Sequence, residues 1–145
     1  MNFLQEMAEL GAQQAATALS TMVALPVTVK TRRAVQLTLP ELTEVENPAT
    51  ASADFVGVYF TLHGPQPGSA LVVLPEDDAG ELVRIVRASG SSGPALDDMG
   101  MSAVAEIANI IAGAFFAAAR KFVRFPLIHS VPRVVTAAWP SLVAC

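Results

Sequence analysis

Residues 106–135 read EIANIIAGAFFAAARKFVRFPLIHSVPRVV, and residues 6–35 read EMAELGAQQAATALSTMVALPVTVKTRRAV. The two stretches align without a gap at an offset of 100 residues. Glu6 matches Glu106, Pro26 matches Pro126, Arg33 matches Arg133 and Val35 matches Val135. Alanine matches at 8/108, 12/112 and 18/118 carry less weight in so alanine-rich a chain. The shared glutamate, the shared helix-ending proline and the common onset of β-branched residues describe a duplicated helix–strand unit, related by a pseudo-two-fold axis.

Outward from the repeat, the first helix covers 2–24, with Leu4, Met7, Gly11, Ala15, Ala18 and Met22 at the spacing of a buried stripe, and Pro26 ends it. Val27–Lys30 and Ala34–Leu39 read as strands, followed by a turn-rich stretch from Glu44 to Ser52. Asp54–His63 and Ala70–Leu74 form a hairpin around Gly64–Gly68. Acidic residues at 76–78 suit the first turn of a helix that runs to about Ala88, before the break Gly90-Ser91-Ser92-Gly93-Pro94. A second long helix follows from Asp97 to Phe122, and Leu127–Ala138 supplies one or two short strands.

The expected fold is α+β: one domain over 1–145 in which two long helices pack on a β-sheet of antiparallel strands. Repeat one spans about 2–75 and repeat two about 97–145. The second repeat is truncated, without a counterpart of the hairpin, so a sheet edge is expected to be completed by a second subunit, by strand exchange or by a partner.

Composition narrows the function classes. Apolar residues make up 52% and charged residues 15%, with a mean hydropathy of +0.48. Such a chain buries a core and is not disordered. A net charge of −4 offers no electrostatic attraction to nucleic acid or to an anionic membrane. Residues 1–25 lack a basic n-region and carry Glu6 and Glu9, which argues against a signal peptide. The apolar run 103–119 contains Glu106 and Asn109, costly in lipid, so a core helix and a cytoplasmic location are expected. Cys145 stands alone and excludes an intrachain disulfide framework. His63 and His129 have no ligands at metal spacing and read as structural, so no metal site is expected. Trp139 reads as packing, and the cations Arg120, Lys121 and Arg124 suit a helix C-terminus.

At about 100° per residue, Ser102, Glu106, Asn109 and Gly113 share one narrow stripe of the second helix. Val104, Ile107, Ile111, Phe115, Ala118 and Phe122 lie opposite, toward the core. The stripe sets a carboxylate beside an amide one turn on, and Gly113 leaves room for another backbone. On spacing alone, an ordinary solvated face is the simpler reading.

Ser102-Ala-Val-Ala-Glu106-Ile-Ala-Asn109, separated by 22 residues from Pro132, resembles the signature of the CheC/CheX/FliY phosphatases, and of CheC most closely. That pattern is Asp or Ser, three residues, Glu, two residues, Asn, 22 residues, Pro. Gly11–Ser20 (GAQQAATALS) is similar to the family's GAGNAATALS helix. The resemblance implies hydrolysis of the aspartyl phosphate of a phosphorylated CheY-like receiver domain. By position, Asn109 would orient the attacking water and Glu106 would dock the receiver, with Ser102, Gly113 and Pro132 in support. It further implies that Mg²⁺ sits on the receiver, with no cofactor on this chain, and that a CheD-like deamidase is a further candidate partner. The competing reading is a non-catalytic adaptor for a receiver or for that deamidase. Repeat one departs from the pattern, with Asn2, Glu6, Glu9 and Arg32 at the four positions. An ionised Glu9 cannot donate a hydrogen bond and would repel a phosphoryl group, so this half is expected to be silent.

Overall fold

The computed structural model describes residues 2–44, 54–87 and 93–143. The expected turn beyond Glu44, the break at 90–92 and Cys145 lie outside the described residues. Helix α1 (Phe3–Val23) begins where the Asn2 side chain accepts the Gln5 N–H at 2.9 Å, and it ends at Ala24, in the left-handed region just ahead of Pro26. Residues 26–38 carry no regular structure and lead to α2 (Leu39–Glu44). A reciprocal cap starts α2: Glu41 Oε2 accepts the Thr38 N–H at 2.7 Å, and Thr38 Oγ1 accepts the Glu41 N–H at 3.3 Å. Then come β1 (Phe55–His63), β2 (Gly68–Pro75), α3 (Glu76–Val86), α4 (Asp98–Ala119), β3 (Ile128–His129), β4 (Arg133–Ala137) and α5 (Trp139–Val143).

Strand β1 is the centre of the sheet. It pairs antiparallel with β2 on one side, Phe55 opposite Pro75 through Leu62 opposite Gly68. On the other side it pairs with β4 and β3 laid end to end, Phe55 opposite Ala137 and Leu62 opposite His129. Both of its faces are covered, which explains the unbroken apolar run at its start. Val56, Val58 and Phe60 pack under α3 and α4 with Ala79, Val83, Val104, Ala108 and Ala112. Each large side chain buried there contributes about 1.5–3 kcal/mol. On the reverse face Phe55 meets the edge of Trp139 at 6.0 Å, and the Tyr59 hydroxyl donates to the Leu142 carbonyl.

Helix α1 packs chiefly against α4. Its buried residues are Gly11, Ala12, Ala15 and Leu19. Ala18, expected on the stripe, is exposed instead. Gly11 sets the closeness of the crossing, since a Cβ there would lie 2.5 Å from the Phe115 ring. The apolar face of α4 is largely as expected, with Val104, Ile107 and Ala118 buried and Ile111 and Phe115 half-buried. Phe122 lies beyond the helix, more than a third exposed, with its ring 5.9 Å from that of Phe3.

The strands expected at 27–30 and 34–39 do not form. A strand needs a neighbour for its backbone groups, and no described strand lies beside this segment. Its counterparts at 128–129 and 133–137 are strands because β1 runs alongside them. The first copy is instead tied to α1 by side chains: Ser20 Oγ accepts the Val27 N–H at 2.9 Å, and Thr31 Oγ1 donates to the Ala8 carbonyl at 3.2 Å.

The duplication nevertheless extends further than 6–35. Helices α2 and α5 begin 100 residues apart, share proline at 40/140 and leucine at 42/142, and pack on each other. The Trp139 indole N–H donates to the Leu42 carbonyl at 3.1 Å. Both repeat-related helix pairs, α1 with α4 and α2 with α5, therefore meet as a pseudo-two-fold axis requires.

The helix crossing gives a paired stability test. Gly11→Leu is expected to destabilise the chain by about 1–3 kcal/mol through overpacking. Gly113→Ala, whose new Cβ meets nothing within 4 Å, is expected to stabilise it by about 0.5–1 kcal/mol. Urea unfolding followed by circular dichroism reads both, and equal effects of the two would refute this account of the crossing.

Candidate functional site

The site begins with how α4 is started. Asp97 caps it, with Oδ1 accepting the Gly100 N–H at 2.8 Å and the Arg87 guanidinium at 2.7 Å. Gly100 sits against the Ala95 carbonyl, where a Cβ would collide with the backbone. Cap, ion pair and glycine together leave α4 little freedom to rotate. Which residues it turns away from the core is thereby determined.

Those residues are Ser102 and Glu106, both exposed, and Asn109, half-buried. With Ala105 they line one wall of an open groove of about 390 Å³. His129, Ser130, Val131 and Pro132 form the other wall. Four expected site residues thus meet: Ser102, Glu106 and Asn109 on the helix, and Pro132 across from them. Ser102 donates back to the Asp98 carbonyl at 3.1 Å. Glu106 and Asn109 make no side-chain hydrogen bond among the described residues, so carboxylate and amide are free for a ligand.

Gly113 does not line the groove, and open space lies where its side chain would be, which leaves the room expected there for another backbone. At the crossing of α1 and α4 the glycine in close contact is Gly11.

The opposite wall is held by the sheet. Ser130 exchanges two hydrogen bonds with Thr61 of β1, its N–H donating to the carbonyl and its Oγ accepting the N–H, each at 2.9 Å. The His129 ring packs against Phe60 and Phe116, with centroids 5.5 and 5.1 Å away. Its Nδ1 lies 3.0 Å from the Ser130 carbonyl, which assigns the proton to Nδ1. His129 is structural, as expected, but it also borders the groove. Val131 stands at the rim, 84% exposed. Helical spacing could not reveal these three residues. The only signal pointing toward them was the distant Pro132.

The equivalent place in repeat one is bridged by side-chain hydrogen bonds. Glu9 Oε1 accepts from Gln5 Nε2 at 3.1 Å, and Gln5 Oε1 accepts the Ala34 N–H at 3.2 Å. Thr31 adds its bond to Ala8. Repeat two has Ala105 and Val131 where repeat one has Gln5 and Thr31, so it cannot form these stitches. Of the other equivalents, Asn2 serves as the α1 cap, and Glu6 and Arg32 are exposed. The two halves differ not only at the amide position but also in these side-chain bridges between helix and extended segment.

Among the described residues no group of three or more His, Cys, Asp or Glu side chains could hold a metal ion. Helix α4 is long and apolar enough to cross a membrane by length and composition, but here it lies between the sheet and α1.

Residues 99–136 match the CheC-like family. That span holds α4, the groove and its opposite wall. Among curated proteins no sequence matches this chain. FliY of Thermotoga maritima is similar in structure, with a TM-score of 0.73 and 17% identity over 92% of this chain and 66% of that one. CheX, a chemotaxis protein of Desulfovibrio desulfuricans, gives 0.59 and 18% over 92% and 79%. A CheC-like superfamily protein of Shewanella sp. PV-4 gives 0.57 and 16% over 95% and 79%. The chain thus spans just under two thirds of the FliY chain, and all three share its α+β fold.

The Gly100 N–H, and after it Arg87, hold the Asp97 carboxyl below the usual aspartate range. A lowered folded value means that this stabilisation is complete above the ordinary pKa of about 3.9 and is lost as pH falls through the folded one. Asp97→Asn keeps a cap oxygen but cannot titrate. Melting temperatures across this acid window are expected to fall more steeply for the parent chain than for the variant. Parallel curves would remove Asp97 as an acid-sensitive anchor of the site helix.

Proposed function

We propose that this chain, which matches the CheC-like family over residues 99–136, belongs with the CheC/CheX/FliY proteins and acts in chemotaxis signalling as a phosphatase for the aspartyl phosphate of a CheY-like receiver domain. The observation that carries the reading is the groove: Glu106 and Asn109 face it side by side, without internal partners, opposite a wall fixed to the sheet. Its shallow, open form suits a protein surface better than an enclosed small molecule.

The chemistry asks for little more. An acyl phosphate is already activated, and phosphoryl transfer passes through a loose transition state in which alignment is the main contribution. The Asn109 amide can donate through its NH₂ to a phosphoryl oxygen and accept a hydrogen bond from water at its carbonyl. Water then attacks phosphorus in line and the bond to the aspartyl oxygen breaks; the receiver keeps its aspartate as a free carboxylate, and inorganic phosphate leaves with the water's oxygen and protons. Glu106, one turn earlier, offers a carboxylate to a cation beside the receiver's acyl phosphate, which holds the helix in place. The Mg²⁺ that neutralises phosphoryl charge belongs to the receiver in this reading. The cytoplasm, where receivers act, is the corresponding location.

Phosphate release from a phosphorylated receiver tests the assignment. Asn109→Ala is expected to lower the turnover rate about a hundredfold with receiver binding retained. Glu106→Gln is expected to act mainly on KM. An unchanged rate with intact binding in Asn109→Ala would overturn the catalytic assignment, and a parent chain that binds the receiver without speeding phosphate release would be the adaptor. Repeat one supplies a second test on the same assay: Glu9→Asn alone is expected to add no activity, because Gln5 and Thr31 still bridge helix and segment there and Arg32 stands in the place of Pro132. A gain of turnover would show that the amide alone makes a site.

A further inference from the structure

Residues 27–38, VTVKTRRAVQLT, have the pattern of a strand without the partner of one. Val27, Val29 and Thr31 are half-buried, while Thr28, Lys30 and Arg32 between them are exposed. This period of two is that of an extended chain with one face covered. The segment is held by side chains, at Val27 through Ser20, at Thr31 through Ala8 and at Ala34 through Gln5. From Thr28 to Arg33 and from Val35 to Leu37, no backbone N–H has a hydrogen-bond partner among the described residues. Val35 and Leu37 are 50% and 42% exposed. Lys30, Arg32 and Arg33 take part in no ion pair among the described residues, and no acidic residue occurs between Glu9 and Glu41.

The repeat shows what such a segment does when it has a neighbour. Residues 33–37 are the counterparts of β4, which lies antiparallel to β1 with Arg133 opposite Tyr59 and Ala137 opposite Phe55. We infer that residues 27–38 form a docking edge for an extended, acidic and apolar segment of a partner protein, which adds antiparallel to 33–37 as β1 adds to β4. Charge selects this occupant over a second copy. Two copies of the segment paired about a two-fold axis would gather Lys30, Arg32 and Arg33 from each chain on one ribbon, with repulsion and no counter-charge. Of the sheet's two outer edges, which a second copy could also offer, β2 carries no charged side chain, and β3 with β4 carries only another cation, Arg133. An incoming strand that alternates acidic with apolar residues meets both features: carboxylates on one of its faces reach Lys30 and Arg32, apolar side chains on the other cover Val35 and Leu37, and Arg33 adds its charge to the positive field of the edge. The inference does not depend on the phosphatase reading, since none of these residues borders the Glu106–Asn109 groove.

The probe is a fluorescent synthetic peptide of alternating glutamate and valine, of the nine-residue length of β1. Anisotropy is expected to show saturable binding, and hydrogen exchange to show that the peptide slows the amides of 28–37, which exchange fast in the free chain. The double variant Arg32→Glu, Arg33→Glu is expected to weaken binding about tenfold or more. A peptide with lysine in place of glutamate, and one N-methylated at alternate positions, are expected not to bind, and neither control depends on how a variant folds. Slow exchange of 28–37 in the free chain would overturn the proposal. If sedimentation velocity then showed a dimer, a second copy would be the occupant, and if a monomer, the chain's own residues. Peptide binding that ignores charge reversal, or that leaves these amides unprotected, would overturn it as well.

Discussion

Strand β1 has to satisfy hydrogen bonds on both edges and bury side chains on both faces, and the rest of the molecule follows from how it does so. One edge takes β2 over eight residue pairs. The other is shared between β4 and β3, because the chain steps at Ser130 and fills the step with that residue's hydroxyl. The upper face takes α3 and α4, and the lower takes Trp139 and Leu142. A strand so enclosed can hold only apolar residues over most of its length. Glycine at 57 is the one place where Leu142 comes close enough to exclude a side chain without rearrangement.

Helix α4 is constrained in turn. The sheet lies along one side and α1 along another, with Gly11 admitting Phe115 at their crossing. Its start is pinned by Asp97, Arg87 and the contact of Gly100 with Ala95. Only one stripe remains uncovered, and it is the stripe of Ser102, Glu106 and Asn109. Because β1 also places residues 129–132, through Thr61 and the aromatic packing of His129, both walls of the groove refer to the same strand. Such a frame is what a site needs if its contribution is alignment, and it explains how two ordinary polar side chains could suffice.

The two halves show how one scaffold can be tied differently in its two copies. Gln5 and Thr31 cross from helix to extended segment in repeat one, and Ala105 and Val131 cannot do so in repeat two. The first half contributes a helix that braces α4 and a segment whose own backbone has no strand beside it among the described residues. The glutamate at position 9 and the bridging side chains at 5 and 31 are separate differences, in different residues.

The sequence by itself determined the three longer helices α1, α3 and α4, the central hairpin, the duplication and the helix stripe of the site. Each rests on local chemistry: caps, prolines, a period of 3.6 or of two, and identical residues at a constant offset. It did not show the short helices α2 and α5, it misplaced Ala18, and it read strands into 27–30 and 34–39. Those depend on what lies across from a residue, which no local pattern encodes. The tertiary structure alone decided that Val134 is in a strand and Ala34 is not, although their surroundings in the chain are alike, because β1 is present beside one of them. It alone brought His129, Ser130 and Val131 to face Asn109, and it alone showed Gln5 bridging helix and segment in the other half. A side chain's period can be read along one chain, but a hydrogen-bond partner or a facing wall exists only once two distant segments have met.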